Sequence, residues 1–266
     1  MERALNERPW IMRFNVVTYN VHACRGLDRR ICHIRISDIL RACNADIIAL
    51  QELDSDRARS RKVDQPQAIA DALGMHLIFY STDGWADGKY GNAILSKYPL
   101  KLVRAANLPG AGRCEPRGAI WAEAIINNQS VHIVNTHLGL TASERATQVR
   151  ALLGPEWMGA HTFSESSVLC GDFNFSPRDP LYRLLTERLR DVQMVQRARR
   201  AFPTWLGLRT IDFVLVSHAI EVHAVHVHWS LRTRIASDHM PLVASISVPN
   251  ARGTTAESDI ESHSKG

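Results

Sequence analysis

The stretch Ser237–Val248, "SDHMPLVASISV", sets an acid and a histidine side by side at the mouth of an alternating, β-branched run. The run reads as a strand. One Asp-His pair is by itself an ordinary solvated loop, so its meaning depends on whether other polar residues converge at the same end of the fold. Working outward, apolar strand-like runs recur: "FNVVTYNV", "DIIALQE", "HLIFY", "NAILS", "AIWAEAII", "SVHIVNTHL", "SVLCGDFN", "IDFVLVS" and "VHAVHVHW". The turn signal "NNQ", Asn127 to Gln129, predicts a hairpin and hence antiparallel pairing.

Three helical patterns lie between the strands. "TASE", Thr141 to Glu144, is a capping box followed by an apolar face of Ala146, Val149, Leu152 and Leu153 up to Gly154-Pro155. "DPLYRLLTERL" begins with Asp179 as cap and Pro180 in the first turn, and predicts Leu181, Leu184, Leu185 and Leu189 as its buried stripe. "PQAIADALG" is shorter and stops at Gly74. Strands outnumber helices, which predicts sheets packed on each other with helices outside. A single domain over residues 1–248 is expected, and the polar, aperiodic segment 249–266 reads as a disordered tail.

With 266 residues and 45% hydrophobic content, the chain can bury a large core. Cys24, Cys32, Cys43, Cys114 and Cys170 are odd in number and lack metal-type spacing, which argues against a disulfide framework and a zinc site. The N-terminal stretch reads as neither signal peptide nor membrane span, so the expected compartment is the cytoplasm. A net charge of +5 and a pI near 9.1 favour anionic partners without choosing among them. Two local features take bland readings: "RARR" (197–200) as a solvated basic face, and His226 with His228 as a solvent-facing strand side rather than a metal pair.

The polar strand ends carry the chemistry. Asn20, Glu52, Asn135 with His137, and Asp172 with Asn174 each terminate an apolar run, and Asp212 sits inside "TIDFVLV". A buried lone carboxylate is costly, so Asp212 needs a partner. An imidazole would satisfy it, leaving the other ring nitrogen to take a proton. Glu52 with nearby Asn20 offers the oxygen donors that a hard cation such as Mg2+ prefers.

In this order, "TYN", "QELD", "GNAILS", "NTHL", "GDFN", "IDFVLVS" and "SDHMPL" resemble the endonuclease/exonuclease/phosphatase superfamily across about Phe14 to Val248. The resemblance implies a DNase I-like fold, an α/β (α+β) protein built as a four-layer α/β/β/α sandwich of two mixed β-sheets. It also implies hydrolysis of phosphoester bonds with Mg2+ or Mn2+. Carried over by position, it makes Glu52 and Asn20 metal residues and Asp238 a further metal or water contact. Asp172 and Asn174 match the pair that orients the attacking water and the phosphate. By the same resemblance His239 matches the catalytic histidine, Asp212 its carboxylate partner, and His137 a second histidine on the scissile phosphate.

Whether His239 or Asp172 takes the water's proton is left open. Asn92, read as a strand start, and Arg117, before another strand, are candidate substrate contacts; a turn residue and a surface cation are their structural alternatives. The helix after "NTHLGL", with Arg145, Gln148 and Arg150, resembles the compact bacterial branch. The substrate stays open between nucleic acid, cut by an endonuclease or exonuclease, and a lipid headgroup, cut by a phospholipid- or sphingomyelin-type phosphodiesterase. The short loop between Asp191 and Asp212 lowers the abasic-site endonuclease reading. A binding module without chemistry would be missing a ligand, and none is missing. No stable protein partner is implied.

Overall fold

The computed structural model describes residues 13–110, 114–160, 166–196, 198, 200–204 and 206–248. The segment read as a disordered tail, and Arg197 and Arg199 of the basic run, lie outside the described residues.

Two six-stranded sheets form the centre. The strands of the first are β1 (Arg13–Asn20), β2 (Ile47–Ser55), β3 (His76–Trp85), β4 (Gly88–Ser96), β11 (Glu221–Val227) and β12 (Leu242–Ser247), ordered β11-β12-β1-β2-β4-β3. The second holds β5 (Leu100–Asn107), β6 (Gly118–Ile126), β7 (Gln129–His137), β8 (Ser167–Asp172), β9 (Arg190–Asp191) and β10 (Asp212–Val216), ordered β5-β6-β7-β8-β10-β9. Each sheet is mixed: β1 runs parallel to β2 and β7 parallel to β8, and the other pairs are antiparallel.

Three apolar layers follow from the alternation of side chains along these strands. Val16, Ile47, Ile94, Ile133, Val168 and Val214 meet between the sheets. On the outer face of the first sheet, Val17, Tyr19, Ile48 and Leu50 pack against α1 (His33–Ala42) and α2 (Gln65–Leu73). Outside the second, Trp121, Val134, Leu169 and Phe213 pack against α3 (Ala142–Leu153) and α4 (Pro180–Thr186). Each fully buried Leu, Ile or Phe side chain contributes about 1.5–3 kcal/mol relative to exposure. The result is the expected four-layer sandwich. Two short helices, α5 (Val192–Val195) and α6 (Thr233–Ala236), sit in the later connections.

Local signals explain the elements they mark. Asn127 and Asn128 take φ of 47° and 61°, the left-handed pair that a tight β6–β7 hairpin demands. Thr141 and Glu144 form both halves of the capping box that opens α3. Asp179 accepts from Leu181 N to open α4. Within α4 the expected stripe is corrected at Leu184, which is 37% exposed, because the helix ends at Thr186 and only its Leu181/Leu185 edge faces the sheet. Asn92 is corrected too: it lies inside β4, opposite Tyr80, and does not begin a strand.

Candidate active site

The polar ends converge where the two sheets face each other. Asn20, from the end of β1, donates through Nδ2 to Glu52 Oε1 at 2.8 Å and to Asp172 Oδ2 at 3.1 Å. Its own Oδ1 accepts from His22 N at 3.1 Å. Glu52 arrives there by a defect in pairing: β2 and β4 shift register between Leu50 and Leu53, one extra residue bulges, and Glu52 takes a φ of 61°. That left-handed geometry costs about 1–3 kcal/mol for a non-glycine residue. The bulge re-aims a carboxylate that a regular strand would have turned away.

Asp172 closes β8, and Gly171 before it permits the approach: its φ is 146°, and a Cβ there would overlap the Thr136 carbonyl oxygen of β7. Asp172 Oδ1 accepts from Asn174 N at 2.9 Å. Asn174, itself left-handed at φ 54°, donates through Nδ2 to Leu138 O at 2.9 Å and lies 3.1 Å from His137 Nε2. His137 Nε2 stands 3.6 Å from Asp172 Oδ2 and 3.9 Å from Glu52 Oε1. On its other side Arg117 Nη1 approaches Nδ1 at 3.2 Å. Burial, then the Arg117 charge, then His239 push His137 well below the usual histidine range, so it is neutral.

Asp212 faces Asp172 across the β8–β10 ladder. Both of its oxygens lie 3.0 Å from His239 Nδ1, and His239 Nε2 lies 3.5 Å from Asp172 Oδ2. Burial alone would discharge this imidazole, but Asp212 and then Asp172 outweigh it and raise the His239 pKa above its ordinary value. Burial raises the pKa of Asp172. The Phe202 ring packs on His239 with centroids 4.6 Å apart. Asp238 sits at the rim, one third exposed, 3.7 Å from His22 Nδ1.

Of the two candidate substrate contacts, Arg117 is buried against His137, and Asn92 is buried with Nδ2 on Gly118 O at 3.2 Å. Four contributors have no counterpart in the sequence-based site. Ser237 Oγ donates to Asn20 O at 2.8 Å and accepts from His239 N at 3.2 Å, clamping the Asp-His pair to the end of β1. Gln51 Nε2 donates to Asn135 Oδ1 at 2.7 Å, and Asn135 Nδ2 returns bonds to Leu50 O and Ala93 O, tying sheet to sheet beneath the site. His22 and Phe202 complete the four. Gln51 adjoins Glu52 and Ser237 adjoins Asp238, so adjacency was the available signal; Phe202 offered none.

The donor set suits a hard cation. Glu52 Oε1 is held by Asn20, while Oε2 receives no hydrogen bond among the described residues. Ligand atoms of Asp172, Asp212 and His239 lie within 4.8 Å of one another, but Asp212 and His239 already satisfy each other, which leaves the Glu52–Asp172 side with unspent oxygen donors.

Residues 17–239 match the sequence profile of the Endonuclease/Exonuclease/phosphatase family. The chain belongs to this family. Endonuclease/exonuclease/phosphatase proteins hydrolyse phosphoester bonds, as their name states. The YbhP protein of Escherichia coli K12 is 27% identical over 249 residues, covering 88% of this chain and 96% of its own. Among solved structures of the family, one from Bacteroides vulgatus superposes with a TM-score of 0.73 at 17% identity, covering 89% of this chain and 99% of that one. The mannosyl-6-phosphatase Bt3783 of Bacteroides thetaiotaomicron superposes with a TM-score of 0.68 at 18% identity, covering 88% and 99%. These likenesses show the endonuclease/exonuclease/phosphatase fold, and no helix among the described residues is long and apolar enough to cross a membrane.

Proposed function

We propose that this protein is a divalent-metal-dependent hydrolase of phosphoester bonds, with a phosphodiester as substrate and in-line attack by an activated water. The observation that carries the reading is the His239–Asp212 pair standing against Asp172, with Asn20, Glu52, His137 and Asn174 gathered around that same carboxylate. Isolated polar residues do not assemble this way to stabilise a core; a neutral histidine, a charged histidine and two buried acids within a few ångströms are expensive unless the chemistry needs them.

Each residue then has a task. Glu52 would hold the cation, with Asn20 orienting its carboxylate and Asp238 at the rim, and oxygen donors suit Mg2+ or Mn2+. A cation there would neutralise phosphate oxygens and lower the pKa of a bound water. Asp172, whose burial raises its proton affinity toward the working range, accepts the water's proton, and Asn174 fixes its orientation. His239, kept protonated by Asp212, faces the developing charge on the phosphate. His137 stays neutral and donates to a phosphate oxygen, while Arg117 behind it fixes the ring.

The test is a substrate panel of plasmid DNA, RNA, an activated diester and phospholipid vesicles, each with millimolar Mg2+ or Mn2+ and again with chelator. Cleavage abolished by chelator supports the assignment and names the substrate class. Silence on every member under every metal would end it and favour a binding module on the same fold.

A further inference from the structure

Beside the site lies a cleft of about 350 Å3, within the range of about 300–1,000 Å3 typical of small-molecule sites. Its walls are two loops that leave the catalytic strands. Ser176 and Arg178 follow Asn174; Arg200, Leu208, Arg209 and Thr210 precede Asp212. Because Ser176 and Thr210 each stand two residues from a proposed catalytic side chain, the cleft opens within about 7 Å of chain from both.

Three arginines line it and no carboxylate does. Asp179, the nearest acid in sequence, is turned to Leu181 N and to Arg145, 3.9 Å away. The guanidinium groups of Arg178 and Arg209 have no ion pair or hydrogen bond among the described residues. Arg200 is a wall tie, its Nη1 donating to Leu208 O at 2.9 Å. Three like charges gathered on one concave surface repel each other unless an anion sits among them.

The second wall is built. Phe202 and Arg209 exchange backbone hydrogen bonds at 3.2 and 2.8 Å, Thr204 N donates to Asp238 O at 2.8 Å, and Phe202 lies on His239. The loop that carries Arg209 is therefore fastened to the Asp-His segment, and the Arg209 guanidinium hangs from a fixed frame.

We propose that this cleft binds a second phosphate group of the substrate, held by Arg178 and Arg209 while the scissile phosphate occupies the Asp172/His239 centre. The inference rests on the phosphoester-hydrolase reading and narrows it to substrates that carry two phosphates a short distance apart. Guanidinium forks match phosphate oxygens in pairs, and such charge-assisted bonds are the strong ones. A nucleotide chain and a phosphorylated lipid headgroup both supply that chemistry.

Two matched pairs separate the sources: p-nitrophenyl thymidine phosphate with and without a second phosphate on the sugar, and phosphatidylglycerol against phosphatidylglycerol phosphate in phosphatidylcholine vesicles. Wild type should prefer the doubly phosphorylated member of one pair, and in the Arg178→Gln/Arg209→Gln variant the ratio of the two kcat/KM values should fall by about tenfold or more. Arg183→Gln, on the exposed side of α4, should leave that ratio alone. No preference in either pair, or a ratio that survives the double substitution, overturns the proposal. Should wild type cleave none of the four, the hydrolase reading itself fails, and calorimetry with inorganic pyrophosphate decides the cleft separately. Binding weakened by about tenfold in the double variant supports it; equal or absent binding refutes it.

Discussion

Asp172 and Asp212 are register partners across the β8–β10 ladder, and His239, from the segment that leads into β12 of the other sheet, lies between their carboxylates. One imidazole thus bridges two acids, and its charge depends on both. Asp212→Asn should lower kcat by about 10²–10³, the span for losing one group that stabilises developing charge, with the fold intact. Since Asp212 acts through His239, the Asp212→Asn/His239→Ala double variant should be no slower than the slower single one. Additive losses in steady-state kinetics would separate two residues that the geometry joins.

Glu52 stands on a strained bulge, with its carboxylate beside Asn20 and His137. Glu52→Gln should raise the Kd for Mn2+ by at least about tenfold in calorimetry, whereas His239→Ala should shift it by less than about threefold. Equal shifts would dissolve the division between holding the cation and stabilising the charge on the phosphate.

Asn135 is fully buried and carries two backbone carbonyls of the opposite sheet on its amide nitrogen. Asn135→Leu removes the amide from those two carbonyls, a cost of about 3 kcal/mol, while Gln51 Nε2 keeps its bonds to Thr18 Oγ1 and Ala49 O. Urea denaturation should show a lower midpoint at unchanged slope. Because Gln51 and Asn135 share a bond, adding Gln51→Leu should cost less than its effect alone.

Away from the site, His132 accepts a hydrogen bond from Trp121 Nε1 at 3.0 Å. Burial depresses its pKa below the usual 6.5, with Glu123 opposing and Lys101 assisting. The unfolded chain therefore binds this proton more readily than the folded one, so the stabilising contribution is full above pH 6.5 and drains as pH falls toward the depressed value. His132→Gln keeps an acceptor for Trp121 and removes the titration. Between about pH 8 and pH 5.5 the variant should lose less stability than wild type, read from urea midpoints followed by tryptophan fluorescence. His137, depressed for a similar reason, leaves a residual slope in both.

The strands of the two sheets were legible where burial imposes an apolar pattern, and the hairpin and capping box where backbone geometry demands particular residues. β5 was not, because most of its side chains are exposed or half-buried at a sheet edge and nothing forces alternation there. α1 escaped because Cys32, the capping position just before its first residue, makes no side-chain cap. In the site, Asp212 was readable from the cost of burying an acid, and its imidazole partner could be anticipated. The Glu52 bulge could not, since a register shift is a property of two strands and the pattern of one does not contain it. Phe202 and Arg178 come into play through loop packing, which leaves no period in the sequence.

β12 pairs with β1, so the last described strand completes the sheet begun by the first. During synthesis, the opening strand leaves the ribosome long before its neighbour exists, and His239, the residue just ahead of that neighbour, emerges last among the proposed catalytic groups. Nascent chains stalled before Leu242 should remain inert towards every substrate, acquiring hydrolytic competence only after translation has passed the final strand.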